Sequence, residues 1–391
     1  MSCRENMEIQ IKERWKVYSH RIGGQCYLPG SPYILTIYPT HIAILQIEAN
    51  LIHKVASIDW ELQGPVHNFT YALDLDRERI SVWGEAKQGY FHYTIRALLS
   101  PLGLEITLDR ALAQGISYQL TYNHPYSSTT LPKSALLQRK EKIIVTKNAE
   151  NCPSTIQYYQ VQNCQTLSFG FHKALEWENI LRRNELSELI PIWFRLTQLL
   201  PPMIETIANL PSEGAFTLLK NCYILVQQGE KLALEQELLN LFNYSIKDLG
   251  VSQLEDTYFQ GINCPPLSAG NHLTGLHLLK SVYHLLLMLF IKTVDSSIHI
   301  LPTLLPSFKA GRALNLPCGL LGTIDMEWRK DSIRRVYFHA NTTQTIHFVF
   351  PSFIKSYRLG TGNKQMIKKQ AIGLPLNVIA GQTYSFDYFE K

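Results

Sequence analysis

In 391 residues this chain has no Cys-x-x-Cys pair, no His-Glu-x-x-His motif, no glycine-rich phosphate loop and no internal repeat. Its seven cysteines, Cys3, Cys26, Cys152, Cys164, Cys222, Cys264 and Cys318, are scattered and odd in number. That spacing argues against a disulfide framework or a zinc site, and for reduced, mostly buried thiols in a cytosol-like compartment. The thirteen histidines are equally dispersed, so no metal is expected. The lack of a phosphate loop or strand–helix alternation argues against a nucleotide-binding α/β fold, and no cofactor is expected. The opening stretch MSCRENMEIQIKERWK is too charged for a secretory leader, so a cytoplasmic location is expected. The most apolar window, Leu273 to Ile291, is interrupted by His277, Lys280 and His284. It reads as a buried helix, not a membrane span, and no membrane partner is expected.

Charge is also sparse. Charged residues make up 18% of the chain against 46% apolar ones, an ordinary globular balance. The net charge of +5 is uneven: residues 301–391 hold twelve Lys/Arg and five Asp/Glu, leaving the remainder slightly acidic. A basic C-terminal domain favours an anionic or protein partner. No nucleic-acid motif accompanies it, so nucleic acid is not expected as a partner.

What is present falls into three blocks. From about Trp15 to Leu167 the chain reads as short strands rich in Tyr, Ile, Val and Thr, among them YILTIYPTHIAILQIEA, RISVWGEA, YFHYTIRALL, ISYQLTYNH, KIIVTK and TIQYYQVQ. This is the pattern of an antiparallel sandwich. From about Phe171 to Thr293 the period becomes helical. Pro191 and Pro201-Pro202 read as helix boundaries, and Gly229 and Gly250 as C-caps. After His299 strands return in TIDMEWRK, SIRRVYFHAN, TIHFVFPSF, PLNVIAG and TYSFDYFEK, with a hairpin at Lys330-Asp331. The expected fold is multidomain: an N-terminal β-sandwich over 1–168, a helical domain over 169–298 and a C-terminal β-sandwich over 299–391.

One stretch asks for more. CPPLSAGN, residues 264–271, is a rigid and specific turn at the entrance to an apolar helix, which needs only one N-cap to start. The plain reading is a proline-rich turn with an N-cap at Asn271. Farther on, IHILPTLLPSF and LPCGLLGTIDMEWRKDSIRRVYFHA resemble the C-terminal module of the inverting α-L-fucosidase-like glycoside hydrolases. Leu301-Pro302, Leu305-Pro306, Gly319, Gly322 and Trp328 fall in register with its "hLLPaLP" and "GGFeVdieW" stretches. Leu73-Asp74-Leu75-Asp76 and Ser100-Pro101 match that family's N-terminal sandwich.

The resemblance implies a helical (α/α) toroid, here truncated, between flanking sandwiches. It aligns CPPLSAGN with a loop of the type H-P-P-F-Q-I-D-G-N-F-G that faces the sugar site. Pro265, Pro266 and Gly270 then become substrate-binding positions, and Asn271 a water-orienting group. Trp177-Glu178 resembles the family's acid motif, with Glu178 as general acid and Trp177 beside the substrate. Trp193 and Tyr258 are further aromatic candidates for stacking on sugar rings. The departures are equally specific. Ala269 stands where the family has aspartate, Cys264 replaces histidine, and no N-L-Q-G segment exists. Inverting hydrolysis needs an acid and an opposing base. The resemblance therefore implies a degenerate glycosidase-like protein that binds or weakly hydrolyses a carbohydrate. The alternatives are a non-catalytic protein-interaction module using the basic C-terminal domain, and a phosphorylase-type relative, which would need only the acid.

Overall fold

A computed structural model describes residues 8–48, 51–98, 103–110, 115–123, 126–128, 134–147, 164–170, 175–201, 210–256, 261–268, 272–330, 332–361 and 364–391. The N-terminal part is two antiparallel sheets. One runs in spatial order Lys16–Ser19, His67–Asp74, Arg79–Ala86, Gly89–Leu98, Gly103–Arg110, Lys142–Lys147 and Tyr126–Ser128. The other runs Ser134–Leu137, Ile116–Tyr122, Leu51–Trp60, His41–Glu48, Tyr33–Ile37 and Gly24–Tyr27. Every pairing in both is antiparallel, as the alternating sequence pattern predicts. The strand HIAILQIE sends Ile42 and Ile44 inward on every second residue. Trp60 of one sheet meets Tyr93 of the other at 4.9 Å between ring centroids, closing the layer between them. The expected strand TIQYYQVQ lies outside the described residues.

Five helices follow among the described residues: α1 (Trp177–Arg183), α2 (Leu186–Gln198), α3 (Ala215–Gln228), α4 (Lys231–Ser245) and α5 (Gly275–Phe290). Gly229 ends α3 in the left-handed conformation, with its N–H on the carbonyls of Leu225 and Val226, as expected of a C-cap. Two expected boundaries are corrected. Pro191 lies inside α2, which runs on to Gln198 because its apolar face, from Leu189 to Leu196, is buried. Tertiary burial there outweighs one lost backbone hydrogen bond. Gly250 is no C-cap: α4 ends at Ser245, and Gly250 turns the chain between the short strands Ile246–Lys247 and Val251–Ser252.

The C-terminal part is again two sheets. The larger runs Thr166–Ser168, Ala310–Pro317, Gly322–Arg329, Ser332–Ala340, Thr383–Glu390, Ser356–Thr361 and Lys364–Ala371. The smaller runs Ile291–Val294, Ser297–Ile300, Gln344–Val349 and Leu376–Val378. Its one parallel pair joins Ser297–Ile300 to Gln344–Val349. Phe348 of the smaller sheet packs on Phe338 and Phe386 of the larger, at 5.2 and 4.7 Å. The strands on either side of the expected turn pair as a hairpin, Arg329 with Ser332, while Asp331 lies outside the described residues. Strand Thr166–Ser168, expected in the first sandwich, instead pairs with Ala310–Pro317. Phe169 beside it stacks on Phe308 at 4.2 Å, a non-local contact with no local sequence signature. The last helix also stops earlier than its apolar run suggested, because Ile291–Val294 and Ser297–Ile300 form a hairpin. No helix among the described residues is long and apolar enough to cross a membrane.

Candidate functional site

The proline turn has a structural job. The backbone N–H of Gly214, the N-cap of α3, donates to the carbonyl of Pro265 at 2.7 Å. The next N–H, that of Ala215, donates to the carbonyl of Leu254 at 2.8 Å. Both are orphan donors of a helix start, and a loop stiffened by Pro265-Pro266 presents a fixed acceptor to one of them. Ser268 returns the contact, its N–H and hydroxyl both donating to Glu213 Oε2 at 2.9 and 3.0 Å. Gly214 has φ 49°, and a Cβ there would collide with the Leu254 carbonyl. Pro265 and Pro266 are exposed. Gly270 and Asn271, with Ala269, lie outside the described residues, as does Tyr258.

The N-cap of α5 is Thr274, not Asn271. Its backbone N–H donates to His277 Nδ1 at 3.0 Å, and its hydroxyl oxygen lies 2.9 Å from the same nitrogen. This is a capping box with histidine in the place usually held by Glu or Gln. Burial holds the His277 imidazole below its ordinary pKa, which keeps the accepting nitrogen unprotonated.

Trp177 and Glu178 open α1 and face opposite environments. Trp177 is 4% exposed, its ring 6.1 Å from that of Phe242 on α4. Trp193 is 1% exposed and meets the same Phe242 at 5.2 Å. Both indoles line a small internal cavity with Val17 and Leu73 of the first sandwich. Glu178 is exposed and accepts a hydrogen bond from the buried Ser19 hydroxyl at the end of strand Lys16–Ser19. Ser19 in turn hydrogen-bonds to Tyr71, whose phenol pKa burial raises well above its usual range. Tyr71 reaches this position because residue 24 is glycine; a Cβ there would strike its hydroxyl.

The last turn of α4 carries Phe242, packed on Trp177, and Tyr244, beside Cys264. Two residues apart on a helix point about 200° apart around its axis.

The family-like Leu73-Asp74-Leu75-Asp76 segment is a charged clasp. Asp74, fully buried, accepts from the guanidinium of Arg14 and from the backbone N–H of Arg77. Asp76 accepts from the Trp15 backbone N–H at 2.7 Å, and burial raises its pKa against that bond and the pull of Arg195. Among the described residues, no group of three or more His, Cys, Asp or Glu side chains could hold a metal ion.

A large concavity lies elsewhere, on the C-terminal sandwich. A groove of about 620 Å³ is bounded by residues 299–302 and 304–306, Lys309, Ile333, Val349–Phe353 and Lys231 of α4. Its floor is Ile300, Leu301, Leu305, Ile333 and Phe350, all buried. Leu301 has φ 50°, a strained conformation for a branched apolar residue. The strain is held by its N–H bond to the Phe290 carbonyl at 2.8 Å and by burial of its side chain. Trp328 donates its indole N–H to the Phe308 carbonyl at 2.8 Å, fixing the far end of the same loop. Burial and Lys292 lower the pKa of His299 on the groove wall, favouring its neutral form. Sequence reasoning reached Leu301-Pro302 and Leu305-Pro306 but not the opposite wall. The signal was there: Pro-Ser-Phe occurs twice, at 306–308 and 351–353, and the two copies end the two stretches that line the groove. No protein-family model matches this chain, and neither does any curated protein.

Proposed function

We propose that this chain is a non-catalytic binding protein on a glycosidase-type scaffold, two sandwiches around a reduced toroid, that engages a protein partner through its C-terminal sandwich. The observation carrying this reading is the large groove at Leu301–Pro306, set against a candidate acid that is exposed and bonded to Ser19. An inverting site needs acid and base on opposite faces of one bound sugar. Here the candidate acid sits on an open surface bonded to Ser19, and the position of the family's aspartate is Ala269. Stacking on sugar would also need an open aromatic face, whereas Trp177 and Trp193 are packed into the junction of the first sandwich and the helices.

The test is hydrolysis of aryl-fucosides and related aryl-glycosides by the wild type beside Glu178→Gln and Ala269→Asp. No turnover is expected from the wild type or from Glu178→Gln. Robust wild-type turnover lost in Glu178→Gln would overturn the reading and restore a working glycosidase. Turnover appearing only in Ala269→Asp would support descent from an enzyme that lost its base. Binding of the wild type to a fucosylated oligosaccharide, abolished by Glu178→Gln, would favour a carbohydrate ligand at α1 over a protein partner.

A further inference from the structure

We infer that the groove at Leu301–Pro306 takes a short extended segment of a partner protein in which apolar side chains are flanked by Asp or Glu. This rests on the binding reading above and adds the chemistry of the partner. The floor is wholly apolar, and its volume lies in the range that encloses a small ligand or a few side chains. On the rim, Val349 and Phe353 remain 38% and 41% exposed, an apolar wall open to an incoming side chain. The prolines at 302, 306 and 351 stiffen both walls, so little order has to be imposed on binding.

Charge selects the flanks. Lys231 and Lys309 stand on the rim, and neither forms an ion pair with any described residue. Lys231 is the first residue of α4, where its charge adds to the positive end of the helix dipole. The Lys391 ammonium lies 5.1 Å from the Phe353 ring centroid and supplies a third cation at the same edge. The nearby carboxylate of Glu235 is engaged by the Ser307 N–H at 2.6 Å. An oligosaccharide would require several hydrogen-bonding side chains along the floor. The walls offer only His299, Ser352 and the two lysines, so the groove suits a peptide better.

The experiment screens the full chain against a display library of random short linear peptides, then measures selected peptides by calorimetry. Enriched sequences should pair Leu, Ile, Val or Phe with Asp or Glu. Their affinity should fall roughly tenfold or more in Lys231→Glu/Lys309→Glu, which turns attraction for the acidic flanks into repulsion, and in Phe353→Asp, which places a charge on the apolar wall. Lys54→Glu, on the N-terminal sandwich, should leave affinity unchanged and so controls for net charge. These are surface substitutions, and unaltered thermal melting would verify that each variant is folded. No enrichment, enrichment of sequences lacking acidic residues, or equal affinity in the lysine variants would overturn the proposal. So would tighter binding of a polyglucuronate oligosaccharide than of any selected peptide. Glycosidase turnover would remove the non-catalytic reading while leaving these binding outcomes as they are, so the two failures are distinguishable.

Discussion

Gly214 and the cysteines carry their roles in single atoms. At Gly214 a left-handed backbone and the nearby Leu254 carbonyl both exclude a side chain. Gly214→Ala should therefore destabilise the chain by about 1–3 kcal/mol, from strain and overpacking together. Chemical denaturation would measure it, and a cost below a few tenths of a kcal/mol would mean that the helix start relaxes freely. The thiols make a second, independent test. Cys26, Cys222 and Cys318 are buried, and burial raises all three pKa values, that of Cys318 up to about 12. Thiolate, not thiol, reacts with iodoacetamide. Native alkylation followed by peptide mapping should modify the exposed Cys164 and leave these three untouched until the chain is unfolded.

At the scale of elements, the sequence was most legible where the pattern is local. Alternation over His41–Glu48 and Arg79–Ala86, and the turn at Lys330-Asp331, specify strands whose neighbours in the chain are also neighbours in space. Strand Thr166–Ser168 was not legible in this way, because its partner lies more than a hundred residues onward and three residues hold too little pattern to choose it. Pro191 misled for a related reason: local propensity ends a helix there, and the buried face of α2 continues it. At the candidate site, Trp177 and Glu178 are adjacent in sequence, but the helix turns one inward and the other to solvent. The cap of α5 was misplaced because His277 is an unusual capping-box partner. It also titrates. Burial lowers its folded pKa below the ordinary 6.5, and the pKa values of His92 and His299 move the same way for the same first cause. The unfolded chain therefore takes up these protons first as pH falls. Their contribution is complete above 6.5 and is lost as pH drops through the folded values. Melting temperature should decline on acidification from neutrality toward pH 5, and His277→Gln, which keeps a capping-box acceptor without the titration, should flatten part of that decline. An unchanged slope in His277→Gln would remove His277 from the account.

At the scale of the whole molecule, the three parts are tied by backbone and not only by side chains. Tyr27 N–H donates to the Leu249 carbonyl at 3.0 Å, and Leu249 N–H returns to the Gln25 carbonyl at 3.1 Å, so the turn after α4 extends the edge strand Gly24–Tyr27. Tyr18 N–H reaches the Leu175 carbonyl at 2.9 Å, and Gly30 N–H the Leu199 carbonyl at 2.7 Å. On the other side, Gln165 and Gln198 exchange two bonds of 3.1 Å between the C-terminal sheet's first strand and α2. An edge strand covered in this way is also protected from pairing with another chain. Asp248 is the side-chain pin of the first junction. It is nearly buried and accepts from the Arg21 guanidinium at 2.8 Å and from the Gln25 N–H at 3.0 Å. Asp248→Ala leaves the Gln25 donor without that acceptor and forces alanine into a left-handed φ of 48°, a combined cost of about 2–4 kcal/mol. With the backbone ties intact the wild type should unfold in one calorimetric transition. In Asp248→Ala the first sandwich should separate earlier, giving a broadened or split transition, whereas Asp248→Asn, which keeps one acceptor and tolerates the left-handed backbone, should restore most of the cooperativity. A wild type that already melts in independent steps would show that these backbone bonds do not couple the domains.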